Sequence, residues 1–220
     1  MIELTGVTRN YKDGDQLVKA VDGVTLKVDG GDFVSIVGHS GSGKTTLLSI
    51  IGGLTKPDGG KVVIGGTDIW SLPDDALSEF RNRNVNFIFQ FASLVPTLSV
   101  LDNVLLPSAF GKGTDDLEAW ARELIETVGL GDKMHSYPSR LSGGQQRRVA
   151  IARAFINSPK VVLADEPTGD LDEATEADIM EIFRRQNEGG TTFVIVTHNQ
   201  SLAAAARTRY VMTGGRLTER

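Results

Sequence analysis

Eight residues, Gly38-His39-Ser40-Gly41-Ser42-Gly43-Lys44-Thr45, have the spacing G-x-x-x-x-G-K-[ST]. Glycines at those intervals let successive backbone N–H groups converge on one anion, and a helix that follows adds the partial positive charge of its N-terminus. The chemistry predicted is the binding of a phosphate chain. Lys44 would reach the β- and γ-phosphates, the Thr45 hydroxyl would ligate Mg²⁺, and Thr46 would complete the site. A glycine-rich turn with a surface lysine is the plainer alternative. The apolar run Phe33–Val37 before the loop and the helix pattern after it favour the phosphate cradle.

Two further groups suit the same ligand. Val161-Val162-Leu163-Ala164 reads as a buried strand whose end presents Asp165 and Glu166. Adjacent carboxylates at a strand rim repel each other and need a cation. Mg²⁺ bridging the phosphates would supply one, with Asp165 holding it through water. Leu141-Ser142-Gly143-Gly144-Gln145 opens a helix with a hydroxyl and exposed amides, and so forms a second anion site. A solvated acidic turn and an ordinary helix cap are the respective rivals. The cap alone leaves the flanking Leu141 and Gln145 unexplained.

The elements that must position these residues alternate along the chain. Residues 24–28, 33–37, 61–64 and 85–89 read as strands, and 45–54 reads as a helix closed by Gly52-Gly53 and Pro57. In the middle, Leu117, Trp120, Ala121, Leu124, Ile125 and Val128 form one apolar helical stripe with Thr114 as its cap and Gly129 as its stop. A second helix runs from Ser142 toward Asn157. Residues 161–164 and 192–196 are buried strands with a helix over 173–187 between them, which predicts parallel strands joined by right-handed crossovers. Trp70, Trp120 and most phenylalanines are expected in the core.

A chain of 220 residues, 40% hydrophobic and 23% charged, fits one globular domain. The net charge of −5 argues against a nucleic-acid binder, and the absence of cysteine excludes disulfides and thiolate metal sites. The first residues do not form a signal peptide. The most apolar stretch, 85–110, is broken by Asn86, Gln90, Pro96, Asp102, Asn103 and Pro107, so no spanning helix is expected.

In order and spacing the three motifs resemble the nucleotide-binding subunit of an ATP-binding-cassette (ABC) transporter, over nearly the whole chain. The resemblance implies an α/β fold, a P-loop NTPase with a RecA-like parallel sheet core, an N-terminal antiparallel β region and an inserted α-helical subdomain. The core would occupy about 1–90 and 154–220 and the helical part about 91–153, within a single domain. It implies an ATPase that uses ATP and Mg²⁺. Glu166 would then be the general base that polarises the attacking water, and His198 the switch histidine at the γ-phosphate. Gln90 would touch Mg²⁺ and water and face the membrane partner. Ser142, Gly143, Gly144 and Gln145 would bind the γ-phosphate held by the other subunit, giving a head-to-tail dimer with two composite sites. Thr168-Gly169-Asp170-Leu171-Asp172 matches the loop that crosses the dimer axis, with Asp172 as its usual aspartate. Asp170 departs from the neutral residue of many relatives, which leaves its role open. Tyr11 is the candidate for stacking on adenine, with an exposed turn tyrosine as the rival reading.

Leu94, Pro96, Thr97, Asn103, Val104 and Pro107 resemble the pattern of the lipoprotein-releasing and macrolide-exporting ATPases (LolD/MacB-like). That implies an integral membrane permease on a separate chain, a homodimer or paired ATPase subunit, and a cytoplasmic protein held on the inner face of the membrane by its permease. No regulatory domain is expected from the short segment after Arg216. A cell-division-type ATPase that transmits a conformational signal, or an importer ATPase, shares much of the pattern. Phe91, Leu94, Val95, Leu98 and Val100 are expected to expose an apolar docking surface, with Leu98 and Val100 the members best suited to the core.

Overall fold

The computed structural model describes residues 1–14, 16–110, 116–169 and 171–220, without the side chains of 200 and 201. Thr114 and Asp170 lie outside the described residues. Four strands, β1 (Ile2–Asp13), β2 (Gln16–Val28), β4 (Gly59–Ile64) and β5 (Thr67–Asp68), form an antiparallel sheet in the order β2-β1-β4-β5. Six more form the central sheet. They are β3 (Phe33–Val37), β6 (Val85–Ile88), β7 (Val161–Asp165), β8 (Thr192–Val196), β9 (Thr208–Thr213) and β10 (Arg216–Glu219), in the order β10-β9-β3-β8-β7-β6. The neighbours from β9 to β6 run parallel, and β10 is antiparallel at the edge.

The central strands are apolar at nearly every position because both faces are covered, as parallel sheets require. Val34, Ile36, Val161, Leu163, Val194 and Val196 point to one face. There they meet α1 (Lys44–Ile51) and the antiparallel sheet. Phe33, Val162, Ala164, Phe193 and Ile195 point to the other. They meet α3 (Val100–Leu105), α4 (Leu117–Thr127), α5 (Gly143–Phe155) and α6 (Glu173–Glu188). The alternation is the period-2 pleat read directly from the sequence.

Several elements escape the sequence reading. α2 (Asp74–Asn84) buries only Leu77, so it carries no apolar stripe. β1 is interrupted by register shifts after Leu4, Val7 and Arg9, which break its alternation. α1 stops at Ile51 rather than Leu54, capped by Gly52. Trp70 and Trp120 pack against the cores as expected, whereas Phe110 is 77% exposed.

The segment after Gln90 corrects the expected apolar surface. Phe91 is 75% exposed, but Leu94, Val95 and Leu98 are half-buried and Val100 is fully buried. The cause is local. Ser99 and Asp102 form a reciprocal capping box that starts α3 at Val100. Asn103, itself wholly buried, bonds Val95, Leu98 and Ser99 and folds the preceding loop back on the helix.

Candidate active site

The phosphate loop joins β3 to α1. Gly43 sits at φ 104° and Gly41 at φ 77°, a left-handed geometry that glycine adopts without steric cost. A Cβ at Gly38 would run into Met212 O, and one at Gly43 into Ala20 O. Gly215 N–H donates to Ser42 O at 3.1 Å. Backbone from the antiparallel sheet and from the β9–β10 hairpin therefore moulds the loop. Lys44 Nζ donates to Gly38 O and His39 O, at 2.7 and 2.9 Å, which folds the loop around its own ammonium.

A cleft of about 400 Å³ opens on this loop. Its walls come from the carboxyl ends of four neighbouring parallel strands, the place where open α/β sheets bind ligands. Gly38, Ser40, Gly41, Gly43, Lys44, Thr45 and Thr46 follow β3. Gln90 follows β6, Asp165 and Glu166 end β7, His198 follows β8, and Ala20 reaches in from β2. The register explains the convergence, since Val196 pairs with both Ile36 and Asp165.

Glu166 is the most constrained residue here. Its φ of 46° is rare for a non-glycine residue and costs of order 1 kcal/mol or more. The geometry is held by Glu166 N–H on Val196 O at 2.9 Å and by Gly169 N–H on Glu166 O at 3.2 Å. It turns the carboxylate toward β8. There Thr197 Oγ1 and His198 N–H donate to Oε2 at 3.0 and 3.2 Å, and His198 Nδ1 lies 2.8 Å from Oε1. The Glu166 side chain is 13% exposed and the His198 ring 75%. The pair thus has a buried acceptor and an accessible ring.

Asp165 is electrostatically incomplete. Burial pushes its carboxyl above the ordinary range, and the neighbouring Glu166 carboxylate adds to that. The Thr45 hydroxyl and the Lys44 charge oppose it. A half-buried carboxylate bonded to a hydroxyl, with a glutamine amide in the same cleft, is an all-oxygen donor set of the kind Mg²⁺ accepts. Among the described residues no three His, Cys, Asp or Glu cluster to hold a metal, so phosphate and water oxygens would have to complete the shell. Ser42 Oγ is buried without a partner. On these grounds the residues present fit Mg²⁺ together with a polyphosphate.

Ser142, Gly143, Gly144 and Gln145 do not line this cleft. Ser142 Oγ accepts from Gln145 N–H at 3.3 Å and Gln145 Oε1 accepts from Ser142 N–H at 2.9 Å, a capping box on α5. The box occupies both side chains and the Gln145 amide, yet leaves the Ser142 hydroxyl hydrogen and the amides of Gly143 and Gly144 for an outside acceptor. Asp172 caps α6 in the same manner, accepting from Thr175 N–H at 2.9 Å and Thr175 Oγ1 at 2.7 Å, and is exposed. Tyr11 stands outside the cleft lining, 41% exposed on β1. The Arg9 guanidinium lies 4.9 Å over its ring and is paired with Asp58 at 2.7 Å.

Sequence reasoning missed three residues here. Ala20 lines the cleft, the Thr197 hydroxyl holds Glu166, and Arg147 of α5 donates to Phe89 O and Glu166 O. A spacing motif announces none of them, because each acts across the fold.

The family description "ABC transporter" matches residues 21–169, more than half of the chain. The chain belongs to the ABC transporter family. An ABC transporter ATP-binding protein of Thermotoga maritima is 48% identical over 90% of this chain and 86% of its own length. The lipoprotein-releasing system ATP-binding protein LolD of Shewanella sp. is 45% identical over 99% and 95%. The macrolide export ATP-binding/permease protein MacB of Rhodopirellula baltica is 41% identical, and this chain spans only 33% of it. Among solved structures, the dimeric cassette MJ0796 in a post-hydrolysis state bound to ADP and Pi superposes with a TM-score of 0.94 at 40% identity. That match covers 100% of this chain and 98% of the other. The fold is therefore the P-loop ATPase cassette, and this ABC protein is an ATP-binding, ATP-hydrolysing domain of the LolD/MacB type. No helix among its described residues is long and apolar enough to cross a membrane.

Proposed function

We propose that this ABC ATPase is the motor subunit of an exporter, or of a lipid-, lipoprotein- or peptide-handling system, and drives a permease carried on a separate chain. The observation that carries the reading is the single cleft that gathers Lys44, Thr45, Gln90, Asp165, Glu166 and His198 at four strand ends. The permease on another chain is supported by the match to LolD, which is of nearly the same length. The apolar, 75% exposed Phe91 beside Gln90 offers the docking surface. The protein would then sit at the cytoplasmic face of the membrane through that partner. Residues 91–153 would form the helical unit that carries the dock and α5.

In this reading the loop amides of 38–45 and Lys44 bind the β- and γ-phosphates. Thr45, Asp165 and Gln90 would hold Mg²⁺, which when bound would supply positive charge to the phosphate oxygens. Glu166 takes the proton from the attacking water, its carboxylate aimed by Thr197 and His198. The exposed His198 ring is free to meet the γ-phosphate. Tyr11, backed on one face by Arg9, would present the other face to adenine.

The α5 N-terminus at Ser142–Gln145 would bind the nucleotide of a second copy, with Asp172 near the dimer axis. That two-fold arrangement gives two composite sites. Support comes from the free amides of Gly143 and Gly144 lying outside the chain's own cleft. The test is Glu166→Gln, which keeps the side chain's shape but removes its basicity and should cost about 10²- to 10⁴-fold in hydrolysis rate. With MgATP the variant should elute from gel filtration as a dimer, and without nucleotide as a monomer. A variant that remains monomeric at saturating MgATP would rule out the composite site.

A further inference from the structure

The helix that begins at the partner-facing end also reaches the chain's own catalytic cleft. Arg147 lies one turn past Ser142 on α5, with only 8% of its surface exposed. Its guanidinium donates to Phe89 O at 3.1 Å and to Glu166 O at 3.3 Å. Phe89 is the residue before Gln90. Glu166 is the residue held at φ 46°. Farther along the helix, Arg153 donates to Ala92 O at 2.8 Å and to Ser93 O at 2.9 Å. One rigid helix thus grips the loop 89–93 on both sides of Gln90 and fixes the backbone of Glu166, the carboxylate that follows β7. Arg148, the next residue, points elsewhere and donates to Val128 O at 3.2 Å.

A guanidinium is always charged and directional, so its bonds to carbonyls are stronger than neutral ones and tolerate little displacement. Any shift of α5 along its axis must move Glu166 O and Phe89 O with it, or break these bonds. We propose that Arg147 is a positioning residue that couples the two composite sites: a phosphate engaged at the α5 N-terminus sets the catalytic carboxylate and the glutamine loop of the same chain. This rests on the reading that Ser142–Gln145 binds the partner's nucleotide. Hydrolysis in one site then depends on occupancy of the other through this contact, and cooperativity in ATP should be lost with it.

The test uses the full chain with Arg147→Gln, Arg147→Lys and, as the comparison from the neighbouring position whose side chain bonds Val128 O instead, Arg148→Gln. Nucleotide affinity is read by titration with a fluorescent ATP analogue, and turnover by steady-state ATPase against ATP concentration. Arg147→Gln should lose about tenfold in kcat with its Hill coefficient falling toward one, while monomer nucleotide affinity is unchanged. Arg147→Lys, which keeps the charge, should recover part of both. Arg148→Gln should lower the melting temperature and leave kcat and the Hill coefficient in place. The proposal is overturned if both Arg147 variants keep wild-type kcat and cooperativity, or if Arg148→Gln loses them equally. Should Arg147→Gln fail to fold, Arg147→Lys alone decides on the same criteria. Dimerisation of Glu166→Gln with MgATP separates the two failures, since its absence sinks the composite site and its presence leaves Arg147 alone at fault.

Discussion

Asn103→Leu isolates what a buried amide does for the loop that carries Gln90. The side chain is 0% exposed. Its Oδ1 accepts from Val95 N–H at 2.8 Å, and its Nδ2 donates to Val95 O, Leu98 O and Ser99 O at 3.1, 3.1 and 2.9 Å. Leucine is close in volume, so the cost is polar rather than a cavity. Two of the four partners keep another bond: Val95 O accepts from Leu98 N–H at 3.1 Å, and Ser99 O from the Asn103 backbone at 2.9 Å. Val95 N–H and Leu98 O lose theirs. Unmet buried groups cost about 1–3 kcal/mol each, and their half-buried setting places both toward the lower end, about 2–4 kcal/mol together. For a chain of this size that is a fall in Tm of about 4–16 °C. Circular dichroism melts of the nucleotide-free protein read it. A loss under about 2 °C would refute the view that Asn103 holds the loop.

Lys44→Ala should abolish tight MgATP binding, measured by equilibrium dialysis, because it removes the only side-chain ammonium among the described residues that line the cleft. Undiminished affinity would remove the phosphate-loop assignment. Asp165→Asn tests the charge balance. Burial holds the Asp165 carboxyl above its ordinary value, so its contribution to stability is present in acid and lost as pH rises through the folded-state pKa. The nucleotide-free Asn variant should therefore melt higher than wild type near neutrality, with the gap closing as pH falls through the carboxylate range. It should also lose the stabilisation that Mg²⁺ adds to ATP, and an equal melt at both pH values contradicts the sign. Phe91→Asp should fold and bind ATP normally yet fail to retain the permease in co-purification from detergent extracts. Capture at wild-type yield would displace the dock from Phe91.

What was legible in the sequence is what local pattern specifies. β7 and β8 are continuous apolar runs, α5 opens on Ser142 as a side-chain cap, and the loop from Gly38 to Thr45 has a spacing with one mechanical use, whereas the capping of α6 by Asp172 came from the structure. Geometry across the fold was not legible. The exposed face expected at Leu94 and Val95 is half-buried because Ser99 and Asn103 reorganise the loop, whereas the inward placing of Val100 is the one its pattern suggested. α2 has Leu77 as its one buried residue and so no periodicity to read. The bond from Thr197 Oγ1 to Glu166 joins residues 31 apart in sequence, and the bond from Arg147 to Phe89 joins residues 58 apart. Tyr11 was singled out by type, yet its place beside Arg9 and outside the cleft lining came only from the strand that carries it.

The mould around the phosphate loop has a temporal consequence. Gly38 and Gly43 precede residues 212–215 by about 170 positions. The backbone they press against includes Met212 O, and the carbonyl of Ser42 is tied by the amide of Gly215. On a ribosome the loop leaves the exit tunnel long before residues 212–215 are made. β3 must also wait for β8 and β9, its two neighbours in the sheet. The nucleotide cradle is thus synthesised well before the backbone that completes its shape. A nascent chain therefore cannot shape this cradle fully until residues 212–215 have emerged and docked on it.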